Sequence, residues 1–281
     1  MKALRLLSQL CLVALLPAAG ASAHADLLST IKQKGEITVA TEARYAPFEM
    51  LQDGKIVGYG KDILDEVMKA LPGVKLKQVD VPFQGILPGL SAGKFDLVAT
   101  SLTITQARAK NYAFTYPIAT ATVTVLKRKG DERIQRAEDM KGMVVGSQAG
   151  APQVAVLKEF EKDVLKPKGQ ALKDVKEFMD YNEAYAALAS RRVDAVVQSL
   201  PNLAPLIKER PGVFEIIQPP FGPASYYAWA GRKDDDSASL VKLFSEEIGR
   251  LNQSGKLAEL QMKWFGFAMP VPHDRVPAPI N

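Results

Sequence analysis

Cysteine and histidine are nearly missing from this chain of 281 residues. It holds one cysteine, Cys11, and two histidines, His24 and His273, near its two ends. A single cysteine excludes an internal disulfide, so the fold must rest on burial of its core. With no central histidine or cysteine, a zinc site lacks a ligand set. A Ser-His-Asp or Cys-His nucleophile likewise lacks its base. Long apolar runs are also scarce. The run from Leu6 to Ala19 falls short of the ~20 residues that cross a bilayer. Lys2 and Arg5 precede it, and Ala21-Ser22-Ala23 and Ala23-His24-Ala25 follow. A basic start, a short apolar core and a small-x-small end mark a secretory signal peptide. Cleavage is expected near Ala23 or Ala25, with the mature chain exported. Ser8-Gln9-Leu10 before Cys11 is not a lipoprotein cleavage sequence. The formal charge of +5 falls to +3 once Lys2 and Arg5 leave with the leader. Lys127-Arg128-Lys129 is the one compact basic run and reads as a solvated strand end. No nucleic-acid partner is implied, and no cofactor.

What is present is a repeated grammar. Removing 25 residues from 281 leaves 256, enough for one large domain or two medium ones. Ile37–Ala40 reads as a strand and Tyr59–Leu71 as a helix ended by Pro72-Gly73. Val74–Val81 alternates as a strand, Phe83–Ala92 is a short helix, and Phe95–Ala99 a buried strand. The pattern then returns. Met143–Ser147, Ala171–Phe178 and Asp194–Gln198 read as strands, separated by helices at Pro152–Leu165 and Asn182–Ser190. Two βαβαβ passages predict an α/β protein whose parallel sheets are covered by helices. The segment Leu90–Val98 echoes Leu188–Val196: a helix end, a tight turn, an Asp and an apolar strand. Further strands are expected at Phe214–Ile217 and Tyr226–Ala230, then helices at Ser237–Asn252 and Lys256–Phe265. The proline-bearing tail from Pro270 reads as irregular.

Several segments together carry a family resemblance. They are Tyr45-Ala46-Pro47-Phe48, Gly54 to Ile63, Phe83 to Leu90 and Gly93-Lys94-Phe95-Asp96. Ser101 to Arg108, Phe114-Thr115-Tyr116-Pro117, Gly146 to Gly150 and Lys263-Trp264-Phe265-Gly266 follow in order. The chain resembles the periplasmic solute-binding proteins of polar amino-acid ABC importers, family 3 of the bacterial extracellular solute-binding proteins. The resemblance implies a two-lobed Venus-flytrap fold of type II. One lobe would comprise 26–123 plus 222–281, the other 124–221. Hinges are expected near Thr122–Lys127 and Pro219–Ser225. It also implies a periplasmic location, a small-molecule ligand such as an amino acid or related carboxylate, permease subunits as partners, and a monomer.

The resemblance assigns site residues. Arg108 matches the arginine that pairs with the ligand carboxylate; its planar fork suits bidentate binding. Ser101 and Thr103 would add donors. Tyr45 and Phe83 match two aromatic walls around the ligand stem, and Glu42 an acid that meets a distal cationic group. In the second lobe Ala151, Gln153 and Ser199 would face the ligand. Two departures stand out. Pro152 has no N–H to offer a carboxylate at the start of its helix. Ser199 stands where the family commonly places an acid for the α-ammonium, and a hydroxyl supplies no counter-charge. These departures leave room for an organic acid, an acylated or secondary amine, or an opine-like conjugate. The principal reading is an importer's binding protein rather than an enzyme. The alternatives are a cyclohexadienyl dehydratase-like enzyme of the same fold, for which Glu42 is the one nominated general acid, and a ligand-sensing partner of a membrane receptor. Gly89 to Phe95 is one residue short of a phosphate loop and lacks its Ser/Thr.

Overall fold

The computed structural model describes residues 26–281, so the expected signal peptide lies outside the described residues. The first part runs α1 (Leu27–Lys34), β1 (Glu36–Thr41), β2 (Arg44–Tyr45), β3 (Glu49–Gln52), β4 (Lys55–Val57) and α2 (Tyr59–Met68). Next come β5 (Lys75–Asp80), α3 (Phe83–Ser91), β6 (Leu97–Thr103), α4 (Gln106–Asn111), β7 (Tyr112–Phe114) and β8 (Ala119–Thr120). The second part runs β9 (Val123–Arg128), β10 (Val144–Gln148), α5 (Pro152–Phe160), β11 (Asp174–Phe178), α6 (Tyr181–Ala189), β12 (Ala195–Ser199), α7 (Leu200–Glu209) and β13 (Phe214–Phe221). The chain then returns through β14 (Tyr226–Arg232), α8 (Asp235–Gln253) and α9 (Lys256–Phe265).

The strands form two principal sheets, ordered β5-β1-β6-β14-β7, with β8 also on β14, and β11-β10-β12-β9-β13. In each, the strands joined through helices pair in parallel: β1 with β5 and β6, β10 with β11 and β12. The strands that return to a sheet, β14 and β9, run antiparallel to β6 and β12. The two-lobed α/β fold expected from the repeat is present, with mixed rather than purely parallel sheets.

The sequence echo has a physical meaning. The Asp96 carboxylate accepts from the Thr38 N–H of β1 at 2.8 Å. Asp194 does the same for Val144 of β10 at 3.0 Å. Each Asp thus ties one αβ turn to the start of the neighbouring parallel strand. The turn before each Asp is left-handed, with Gly93 at φ 67° and Arg191 at φ 63°.

Two sequence expectations change. Lys127 is not a solvated strand end. It is buried, donating to the carbonyls of Asp131 at 3.0 Å and Ile134 at 2.8 Å. Val123–Lys127 and Pro219–Phe221, expected as parts of the two hinges, already lie in the second sheet, so the crossings are confined to Ala121–Thr122 and 222–225. The tail is irregular but held. Val271 O accepts from Asn252 Nδ2 at 2.9 Å, and Ile280 bonds both Ile104 and Gln106 through its backbone, at the start of α4.

Outside the expected elements, β2, β3 and β4 form a small antiparallel sheet. Asp53 (φ 51°) and Gly54 (φ 72°) turn β3 into β4, and an Asp-Gly dipeptide suits that turn because both positions need positive φ. Gly58 closes this unit onto α2 at φ 135°. A Cβ there would stand 2.2 Å from the Phe48 carbonyl oxygen. Gly58→Ala is therefore expected to cost about 2 kcal/mol or more, lowering the thermal midpoint by roughly 4 °C or more. An unchanged melting curve would refute the close approach.

Candidate ligand-binding site

The parallel strands of both sheets end facing each other, and their C-terminal ends supply the polar groups, as in other open α/β sheets. Glu42 follows β1. Ser101 and Thr103 end β6. Gln148 ends β10 and Ser199 ends β12. All five are buried.

Arg108 sits in the first turn of α4, where the Thr105 hydroxyl caps its N–H at 3.3 Å. The side chain points back between the sheets. Nη1 donates to Thr103 O at 3.1 Å, and Nη2 reaches Gly150 O across the cleft at 3.4 Å. The guanidinium carbon lies 5.4 Å from the centre of the half-buried Phe83 ring. Burial lowers its pKa to about 10, and among the described residues the side chains that act against this are neutral tyrosines, not carboxylates. A buried guanidinium bonded only to carbonyls lacks a counter-charge, and an incoming carboxylate supplies one. A cavity of about 400 Å³ opens beside it, lined by Arg108, Gly150, Ala151, Pro152 and Glu177 among others.

Glu42 marks another part of the cleft. Its Oε1 accepts from Gln148 Nε2 of the opposite sheet at 2.5 Å. Burial raises its pKa to about 8; Gln148 lowers it, Asp180 raises it, and Arg44 and Asp80 act more weakly in opposite senses. Glu49 lies beneath it. The Thr100 hydroxyl donates to Glu49 at 3.2 Å, and burial together with Glu42 keeps that carboxyl well above the usual carboxylate range.

Between these titratable groups runs a neutral network. The Tyr45 and Tyr227 hydroxyls are 2.6 Å apart, and Tyr45 also reaches Gln198 Oε1 at 3.2 Å. Tyr227 donates to Ser199 Oγ at 2.7 Å, which donates to Ala121 O at 2.8 Å. Gln153 Nε2 lies 3.1 Å from Gln198 Oε1, Ser199 Oγ and Tyr227 Oη. Tyr45 is held from behind by aromatic rings: Phe48 at 6.0 Å, Tyr181 at 5.8 Å and Tyr227 at 6.1 Å between centroids.

The structure brings Glu42, Tyr45, Ser101, Thr103, Arg108, Ala151, Gln153 and Ser199 into one buried region, with Phe83 at its edge. The N–H of Ala151 is occupied by Gln148 O at 3.1 Å, so Ala151 contributes surface rather than a donor. From sequence, Gln198 reads only as a neutral neighbour and Tyr227 as core or rim, while Gln148 and Glu49 go unmarked. Gln148 lies inside the Gly146–Gly150 segment and Glu49 directly follows Phe48, so the segments that carry the resemblance hold or adjoin both. Among the described residues, eight side-chain hydrogen bonds join the two lobes, besides those made to the crossing segment at 121–122. They include Gln84 Nε2 to Ala149 O at 3.3 Å and to Met179 O at 3.1 Å, and Asn202 Nδ2 to Ala46 O at 3.1 Å. The other five are those of Glu42 with Gln148, Arg108 with Gly150, Tyr45 with Gln198, Gln153 with Tyr227, and Tyr227 with Ser199. The cleft is therefore closed. Among the described residues, no helix is long and apolar enough to cross a membrane.

A family model described as bacterial extracellular solute-binding proteins, family 3, matches residues 37–267. A probable histidine-binding protein of Campylobacter jejuni is 26% identical over 236 residues, covering 84% of each chain. Among solved structures, an ancestral arginine-binding protein bound to arginine is 32% identical, with a TM-score of 0.73; the match covers 83% of this chain and 99% of that one. The ancestral amino acid-binding protein AncCDT-1, a precursor of cyclohexadienyl dehydratase, is 29% identical with a TM-score of 0.74, over 85% of this chain and 99% of that one.

Proposed function

Since the chain belongs to the bacterial extracellular solute-binding proteins of family 3, we propose that it is the periplasmic binding component of an ABC importer, capturing an amino acid or related carboxylate and delivering it to permease subunits. The observation that carries this reading is the buried Arg108, whose guanidinium has carbonyl partners and no carboxylate. An ordinary structural arginine at this burial would be paired. Residues 26–122 with 222–281 make one lobe, and 123–221 the other, Val123 going with the sheet in which it pairs. The short crossings at Ala121–Thr122 and 222–225 act as hinges, and ligand contacts made to both lobes favour the closed form.

The ligand-contacting residues are Glu42, Tyr45, Phe83, Ser101, Thr103, Arg108, Ala151, Gln153 and Ser199, joined by Gln148, Gln198 and Tyr227. Thr103 acts chiefly by orienting Arg108 through its carbonyl. Two of the relatives above bind amino acids by name, histidine and arginine. The test is a thermal-shift screen of ligand-stripped mature protein against amino acids, ω-amino acids, opines and small organic acids. A ligand at 100 times its Kd is expected to stabilise the protein by about 2.7 kcal/mol. No shift with any of them would sink the reading. Formation of phenylpyruvate from prephenate by the same protein would replace it with an enzymatic one.

A further inference from the structure

Proton accounting in the neutral network gives it a polarity. Ser199 Oγ receives the Tyr227 hydroxyl proton and directs its own proton to Ala121 O. Gln198 Oε1 accepts from the Ser199 backbone N–H at 2.7 Å. That N–H can only donate, which fixes which end of the amide is oxygen. Gln153 Nε2 adds a further donor to the same oxygen. The acceptors of Gln198 and Ser199 are therefore filled from within the protein. Gln198 Nε2, on a fully buried side chain, carries two donor hydrogens; it faces the Tyr185 hydroxyl of its own lobe but makes no well-formed hydrogen bond among the described residues, so at least one donor is left unfilled. On the opposite sheet the buried Ser101 hydroxyl is also unpartnered. An ammonium group set against Ser199 and Gln198 would meet an amide donor, filled acceptors and no carboxylate. Its desolvation would go uncompensated. An oxygen acceptor there would satisfy Gln198 Nε2.

Resting on the binding reading above, we infer that the ligand is a carboxylic acid with no free ammonium beside its carboxylate. The carboxylate pairs with Arg108. The adjoining position carries an acceptor oxygen, such as hydroxyl, oxo or acylamide, or no polar group. A cationic or donor group, where the ligand has one, lies against Glu42, whose carboxyl is bonded across the cleft.

Calorimetry on ligand-stripped mature protein tests this with matched compounds. The probes are L-arginine, Nα-acetyl-L-arginine, 5-guanidinopentanoate, L-lysine and 6-aminohexanoate. The compounds without a free α-ammonium are expected to bind at least tenfold tighter than arginine or lysine. Ser199→Asp is expected to move that ratio at least tenfold towards the parent amino acids. Equal or tighter binding of the parents to the wild-type protein overturns the inference and leaves the binding reading intact. A ratio unmoved by Ser199→Asp in a protein that still binds overturns it as well. Binding of none of the five compounds, nor of any compound in the wider screen, removes both.

Discussion

Arg108→Ala is expected to weaken binding of the best carboxylate ligand by roughly 30-fold to several thousand-fold, corresponding to about 2–5 kcal/mol for truncating one partner of a buried charge pair. Most of that loss comes from leaving the ligand carboxylate buried against Phe83 and the Thr103 and Gly150 carbonyls. The ligand-free protein should hardly notice. Its guanidinium lies in a desolvated position with only carbonyl bonds and the Phe83 face, and burial already lowers its pKa to about 10. Removing it forfeits those contacts and relieves the burial of a charge. Titration calorimetry and a melting curve separate the outcomes. Retained affinity with a lower melting point would make Arg108 a structural residue that holds α4 against the cleft.

Glu42→Gln is expected to abolish a pH dependence of closure that the wild-type protein shows between about pH 4.5 and about 8. Burial raises the Glu42 carboxyl from an ordinary 4.5 to about 8 when the cleft is shut. The closed state therefore binds a proton that an opened, solvated Glu42 would release. Stability conferred on the closed state is full below pH 4.5 and is lost as the pH rises through 8. A tenfold difference in proton affinity is worth about 1.4 kcal/mol, so the effect reaches a few kcal/mol at the alkaline end. Opening hydrates the group, so the effect falls on the lobe equilibrium and little of it on unfolding. Glu49, whose carboxyl burial holds well above the usual carboxylate range, is bonded to Thr100 within the first lobe, so opening leaves that contact in place. The amide introduced by Glu42→Gln can still accept from Gln148, so the substitution leaves the contact and removes the titration. Small-angle scattering of the ligand-free protein should show a radius of gyration that grows with pH for wild type and stays flat for the variant. Parallel curves would assign the pH response to another group.

The parts of this protein legible from its sequence are those carried by periodicity and by local turn chemistry. The twin βαβαβ passages are legible because Asp96 and Asp194 each follow a left-handed turn and precede an apolar strand. Arg108 is legible because the Thr103-Ile104-Thr105 turn sets it at a helix start. Other features leave weaker marks. The strands β2, β3 and β4 are two to four residues long, too short for alternation to register, and only Asp53-Gly54 announces them. Pro201 and Pro205 disguise α7, although the first sits in its opening turn, where a missing N–H costs nothing. The basic run at Lys127 looks solvated because sequence does not reveal that two carbonyls and Glu215, 3.8 Å away, receive a buried ammonium. Gln148, Gln198 and Tyr227 are hard to place for a different reason. Amides and hydroxyls have no spacing signature, and their roles appear only once both sheets are folded against each other.

The route of the chain also sets an order of assembly. The second sheet is drawn entirely from residues 123–221, so every strand it needs is available once Phe221 has emerged. The first sheet cannot be completed then. Its strand β14 must arrive to join β6 with β7 and β8, and Trp229 and Phe244 must follow to fill its core. A chain delivered from its N-terminus would therefore present a finished second lobe before a finished first one. Glu42 and Tyr45, among the first ligand-facing residues to appear, would wait exposed until nearly the last strand is in place.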